Sequence, residues 1–471
     1  AARNSASSPL GVYVVRISTG ACTQITPPVG TVHNFDPAWS PDGKWLVFAS
    51  TRGKSAPSLS KKRMLPQSDL WRVEISATDA PVGAPQQMTF LSNSEVGPQF
   101  MREGRVTMTT EKFSGDFYQL SGRRLNWDLT DYHPLLAQRA QSPYVSLTDL
   151  AMMNPSIGYA AATDIREGAD GDFLLILSDV GMDGKPVLPG AGGALAIFNR
   201  SIGPFEQGRS DPGYLPSLRI IDGGTATGRA GSAGSYRSPF LLPDGQIMAS
   251  FAPSATALAW RLVAVNPRTG AQTTLESPAG GRAIVDAVLA YKYPARPLYA
   301  NRRQLVFGGS TDSDTAHAIV HFPDAPMAFT LLTGNLRRGR PVEQFRDATD
   351  LVVKSESGTE LGRASLESDG SVKVRVPAGT PVFLSLANGS STVGLPMTEE
   401  HQFGPGEVIS LGIRETFTNA AGKTVRLFDA VCAGCHGSVS GRELDVTVSP
   451  DALTGASASA SQTKAPHDIG P

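Results

Sequence analysis

The chain has 471 residues, 40% of them hydrophobic, with 42 basic and 43 acidic side chains and a formal net charge of −1. That balance, with no run of five like charges, excludes an electrostatic footprint for nucleic acid or an anionic membrane surface. No window approaches twenty apolar residues, which excludes a spanning helix, and the length exceeds one compact β-domain, so two or three domains are expected. The first eight residues, Ala-Ala-Arg-Asn-Ser-Ala-Ser-Ser, lack an apolar signal core and read as a mature N-terminus left after export. The 49 glycines and 35 prolines favour a mainly β chain rich in turns.

The first predicted elements are a strand at 11–17 and then a strand, turn and strand over Phe35 to Ser50, with Asp42-Gly43 at the reversal. A single strand follows at Asp69-Leu70-Trp71-Arg72-Val73-Glu74-Ile75. A weaker copy of the hairpin runs from Val96 to Thr110 and turns at Glu103-Gly104; a close copy runs from Tyr236 to Phe251 and turns at Asp244-Gly245, with a strand at 261–266 after it. Four strands per unit at a period of roughly 45 residues is the habit of a β-propeller, which at that period makes six or seven blades over residues 9–335. The Trp39-Ser40-Pro41-Asp42-Gly43-Lys44 hairpin and its Asp69-Leu70-Trp71-Arg72-Val73 partner look like the blade repeat of TolB-type propellers. Trp39, Trp45 and Trp71 are assigned to the core between blades, and the prolines to strand starts. The glycine-rich stretches at 190–193 and 223–224 do not lie between a strand and a helix, so they read as loops rather than phosphate cradles.

After about Arg340 short alternating strands recur at about ten-residue spacing, at 350–353, 360–366, 370–377 and 381–386, the pattern of a small Ig-like β-sandwich over 341–412. Residues 413–471 then form a short C-terminal segment with an extended tail, because Ser449 to Thr463 is Ala/Ser-rich and offers little to pack.

Within that segment Cys432-Ala433-Gly434-Cys435-His436 has the spacing used to attach a haem covalently, and it uses two of the three cysteines in the chain. Two thiols three positions apart can each add to one porphyrin vinyl group while the adjacent imidazole becomes an axial iron ligand, so the cofactor read here is one haem c. A zinc half-site and a redox dithiol are the competing readings; the zinc site would need a fourth ligand, and the remaining thiol is the distant Cys22. Met397, His401 and His467 are the candidate distal ligands; an open iron is the alternative, and His317 or His321 would serve if the ligand came from the earlier region. Phe403, Phe417, Leu427 and Phe428 are the apolar surface offered to a porphyrin near the motif.

The stretch from Asp369 to Phe383, followed by Met397, by Gln402-Phe403-Gly404-Pro405-Gly406-Glu407 and by the Cys-Ala-Gly-Cys-His motif, resembles proteins related to the hydrazine synthase α subunit. In that family a propeller, a sandwich-like module, a Pro-Gly-Glu element and a haem site follow in this order. Here Val408 to Val431 separates the Gly-Glu pair from the cysteines, and the chain shows no second Cys-x-x-Cys-His, so hydrazine synthesis is not carried over. The resemblance and the motif imply a location outside the cytoplasm, in a Gram-negative periplasm, and protein partners in a multisubunit redox complex. Three functions are compatible: an electron-transfer subunit, an oxidoreductase whose open haem acts on a small nitrogen or oxygen species, and a propeller scaffold with a structural haem. The first is preferred because no acid or base cluster accompanies the motif in sequence.

Overall fold

The computed structural model describes residues 1–54 (3, 4 and 6 excepted), 67–114, 117–136, 161–168, 171–178, 192–199, 218–221, 234–253, 259–290 (281 excepted), 294–300, 314–332, 342–394, 400–412, 416–418, 424–426 and 459–470. They fall into two compact units, one of residues 1–89, 93–127 and 132–300 and one of residues 90–92, 128–131 and 301–471.

The first unit opens with the antiparallel pair β1 (Tyr13–Val15) and β2 (Cys22–Gln24). Four four-stranded meanders follow among the described residues. The first is β3 (Asn34–Trp39), β4 (Trp45–Ser50), β5 (Asp69–Ile75) and β6 (Pro81–Gln87). The second is β7 (Glu95–Phe100), β8 (Val106–Ser114), β9 (Phe117–Leu125) and β10 (His133–Leu136), and the third is β11 (Ala161–Glu167), β12 (Phe173–Ser178), β13 (Ala194–Phe198) and β14 (Leu218–Ile220). One parallel pairing, Ala161 with Leu120, joins these two into a single sheet. The fourth is β15 (Ser235–Leu241), β16 (Ile247–Ala252), β17 (Arg261–Val265) and β18 (Gln272–Glu276).

Burial grades across the first and fourth meanders. β4 and β16 are buried along nearly their whole length, whereas the outer strands β6 and β18 are mostly exposed. Strands covered on both faces read as continuous apolar runs, such as Leu46-Val47-Phe48-Ala49, and outer strands can afford Gln and Thr. The first hairpin of all four meanders closes through a left-handed glycine, Gly43, Gly104, Gly171 or Gly245, with φ between +72° and +91°. The Asp42-Gly43 and Asp244-Gly245 turns thus hold the same place in different sheets.

Four meanders, not six or seven blades, are present among the described residues. The equivalent residues Asp36, Gly97, Asp164 and Ser238 are roughly 60–75 positions apart, because the connections between strands are longer than a period of 45 allows. Trp39 is 43% exposed at the end of β3 and not in the core. Trp45 and Trp71 are half-buried; Trp45 meets Trp127 edge-on at 5.3 Å, with the Arg72 guanidinium 5.6 and 4.3 Å from the two rings.

The second unit contains β19 (His317–Phe322), α1 (Ala325–Leu332) and a 3-10 turn at Val342–Phe345. The strands β20 (Asp350–Ser355), β21 (Glu360–Ser365), β22 (Val372–Pro377), β23 (Val382–Asn388) and β24 (Ser391–Val393) follow, then β25 (Val408–Ser410), β26 (Thr416–Thr418), β27 (Thr424–Arg426) and β28 (His467–Asp468). β26 and β27 form a hairpin of their own. The other strands make two four-stranded sheets, in the orders β25-β19-β22-β28 and β21-β20-β23-β24, which share one core including Val320, Phe329, Leu351, Val374, Leu384 and Phe403. β19 lies inside the range 9–335 that the repeat suggested for the propeller, yet its six residues pair with β22. Asp324 starts α1 by accepting from the Met327 amide at 3.0 Å, and Met327 is fully buried, as a filler residue would be.

The Pro-Gly-Glu element is a backbone clamp. Glu407, 4% exposed, accepts the amides of Asp131 at 2.9 Å and Gly404 at 2.7 Å, so a carboxylate substitutes for the ladder partners that this turn lacks. Of the Ser449–Thr463 run expected to pack little, Ser461 is buried at 3% exposure; beyond that run β28 pairs in parallel with β22, and Ile469 is 1% exposed in the shared core.

Candidate functional site

Cys432, Cys435 and His436 lie outside the described residues, as do Met397, Leu427 and Phe428. Cys22, the third thiol, is free and exposed on β2. His401 exchanges both backbone hydrogen bonds with Val382, at 3.0 and 2.8 Å, and its ring stacks on Phe403 with 6.2 Å between centroids. His467 is exposed on β28, on the other sheet. His317 directs Nδ1 to Asp314 Oδ2 at 2.7 Å, and both ring nitrogens of His321 meet serine hydroxyls. Among the described residues no group of three or more His, Cys, Asp or Glu is arranged to hold a metal ion.

The first unit carries a constellation that sequence reasoning missed. In each meander the first strand breaks register at one place, between Phe35 and Ala38, Val96 and Gln99, Thr163 and Arg166, and Arg237 and Phe240. At each bulge one residue takes positive φ: Asp36 (49°), Gly97 (60°), Asp164 (53°) and Ser238 (47°). Asp286, at φ 57°, has the same conformation after the fourth meander. A bulge re-aims its side chain, and the short polar residues tolerate the left-handed region by bonding locally. A recurring small residue before proline, as in Asp36-Pro37, Gly97-Pro98 and Ser238-Pro239, was the available signal.

These residues link successive repeats. The Gly97 amide donates to Asp36 Oδ2 at 3.1 Å, the Ser238 amide donates to Asp164 Oδ2 at 3.1 Å, and the Ser238 hydroxyl donates to Asp286 Oδ1. Arg237 approaches Asp286 at 3.6 Å and lies over Trp260, while Arg166 lies over Phe240. Asp36 is pushed up to about 6, first by loss of hydration and then by the charge of Asp164, against the Gly97 hydrogen bond that favours its ionised form. Its carboxylate reaches solvent while protein surrounds it, the condition of a group in a recess. Burial lowers the Arg166 pKa, with Asp164 and Asp286 opposing. Asp36 can hold and release a proton near neutral pH, while Arg166 and Arg237 lie near the other carboxylates of the constellation.

A second cluster is fully enclosed. Asp69 and Glu95 share the Thr89 hydroxyl at 3.2 Å each; Lys54 reaches Asp69 at 2.9 Å, and the Tyr132 hydroxyl donates to Glu95 at 2.9 Å. Burial first, then the charge of Asp69, pushes Glu95 up to about 8, so the pair holds a proton at neutral pH.

No family model matches the chain, and no curated protein matches it. Among solved structures, hydrazine synthase from Kuenenia stuttgartiensis is similar with a TM-score of 0.35 and 13% identity, over 84% of this chain and 64% of that one. A puromycin hydrolase is similar with a TM-score of 0.34 and 16% identity, over 88% and 53%. The periplasmic gluconolactonase of Pseudomonas aeruginosa is similar with a TM-score of 0.30 and 12% identity, over 86% and 94%. The chain spans less than two thirds of the length of the first two.

Proposed function

We propose that the chain is a monohaem c-type cytochrome that transfers electrons within a larger periplasmic assembly. The single observation that carries this reading is the Cys432-Ala433-Gly434-Cys435-His436 motif. Its donor set fits: two thiols for thioether bonds and one imidazole for the iron, on a chain whose third thiol is distant in sequence and free. Bound there, a haem supplies one-electron chemistry, and its potential depends on the axial partner that the protein provides. The second unit, with two sheets over one core, is read as the small sandwich that carries the haem segment.

The test is spectroscopic. The haem is expected to stay on the polypeptide through acid-acetone extraction, and Cys435→Ala is expected to abolish stable attachment. A colourless, zinc-containing product overturns the reading.

Under the electron-transfer reading carbon monoxide leaves the Soret band of the reduced protein in place; a shift favours a haem-dependent oxidoreductase whose open iron acts on a small nitrogen or oxygen species.

A further inference from the structure

The outer face of the sheet β25-β19-β22-β28 carries a polar row. Along β19 the alternation sends Ala318, Val320 and Phe322 into the core and leaves His317, Ile319 and His321 on the opposite face. His321 is in register with Ser410 of β25 on one side and with Lys373 of β22 on the other. The three side chains therefore stand abreast on adjacent strands.

A turn from the C-terminal segment lies over this row. Ser459 places its hydroxyl 2.9 Å from His321 Nε2, with Ser461 at 3.2 Å, while Nδ1 lies 3.1 Å from the Ser410 hydroxyl. The turn is fixed independently of the imidazole. The Ala460 amide donates to Asp369 Oδ2 at 2.9 Å, the Ser461 amide donates to Ser371 Oγ at 3.1 Å, and Lys373 Nζ donates to the carbonyls of Lys464, at 2.9 Å, and Gln462. Ser461 is buried, while Ser459 keeps solvent access.

Burial first, then the ammonium of Lys373 against the carboxylate of Asp369, pushes His321 down to about 4. The imidazole is thus neutral at ordinary pH and can donate through one nitrogen while accepting through the other. With Nδ1–H directed to Ser410, Nε2 faces the hydroxyls of Ser459 and Ser461, of which Ser459 keeps solvent access. A nucleophile on a base that a third group orients is the arrangement that activates a hydroxyl.

We propose that Ser459, His321 and Ser410 form a serine-nucleophile site that takes small activated esters and phosphonylating reagents. Ser459 Oγ bonds to the acyl carbon while its proton passes to His321 Nε2; the carbon–oxygen bond to the leaving group breaks, and the departing alcohol takes that proton. Water then hydrolyses the acyl-serine by the reverse proton path. Ser410 is a positioning residue.

The test uses the full-length holoprotein with diisopropyl fluorophosphate, in which Oγ–P forms as P–F breaks and fluoride leaves. Peptide mass spectrometry is expected to find one adduct, on Ser459. His321→Asn, which can still bond both hydroxyls, is expected to lower the rate on the order of 100-fold, whereas Ser461→Ala leaves it within a few-fold. Wild-type protein that takes no label at Ser459, or His321→Asn that labels at the wild-type rate, overturns the proposal and leaves the contacts as a fastening for the C-terminal turn. The wild-type measurement alone decides if a variant fails to fold.

Discussion

Asp36 combines two properties that a substitution can separate, a left-handed backbone and a carboxylate that serves the next repeat. At φ 49° a side chain with a Cβ but no local polar group costs about 1–2 kcal/mol, and loss of the acceptor for the Gly97 amide adds about 1 kcal/mol. Asp36→Asn keeps both and is expected to change the urea-unfolding free energy by less than about 0.5 kcal/mol; Asp36→Val is expected to cost about 2 kcal/mol. Equal losses for the two would show that neither term operates. The Glu95 proton gives a pH signature. Its carboxyl moves from the usual 4.5 up to about 8, so the folded chain keeps a proton that the unfolded chain releases. This contribution is whole below about pH 4.5 and is lost as pH rises through 8. Charged groups near Glu95 are Asp69 and Lys54, with the Tyr132 hydroxyl, itself close to Arg123, completing the surroundings. The urea midpoint is expected to fall between about pH 5 and 8 in the wild type and to flatten in Glu95→Gln.

At the scale of elements, four equivalent hairpins distinguish conformational cost from crowding. A Cβ on Gly43 or Gly245 meets nothing within 4 Å, so Gly43→Ala or Gly245→Ala is expected to cost only the left-handed penalty of about 1 kcal/mol. A Cβ on Gly104 would lie 2.4 Å from the Pro297 carbonyl oxygen and 2.6 Å from the Tyr299 nitrogen, both backbone atoms. Gly104→Ala is therefore expected to cost more than about 2 kcal/mol by chemical denaturation, and a cost equal to that of Gly43→Ala would show that the 297–299 segment can move aside at no expense. These hairpins were legible in the sequence because Asp-Gly and Pro mark local backbone geometry. The number of repeats was not, since connection length leaves no local trace. Nor was the bulge constellation: Asp36-Pro37 reads as strand punctuation until three further repeats place a small residue, Gly97, Asp164 or Ser238, at the same bulge. In the second unit the alternation over 372–377 was legible, whereas its pairing with β19 and β28 was not, because strand partners distant in sequence share no common pattern.

At the scale of the whole molecule, the two units have separate apolar cores, and each is expected to unfold in its own transition. Ile469 tests this, since it comes from the end of the chain yet sits at 1% exposure in the second core, packed beside Gly362. Removing its side chain beyond Cβ takes away buried apolar volume that the shared sheets cannot fully close over, so Ile469→Ala is expected to cost about 2–4 kcal/mol. For a unit of this size that lowers its melting midpoint by roughly 5–15 °C. Only one calorimetric transition is expected to move, the one also lowered by Leu384→Ala in the same core, while the transition lowered by Phe173→Ala in the first unit stays in place. A single transition that shifts as a whole would mean that the units fold as one cooperative body. No shift at all with Ile469→Ala would mean that the C-terminal strand contributes nothing to the core, and the fastening of the turn at Ser459 would lose its physical basis with it.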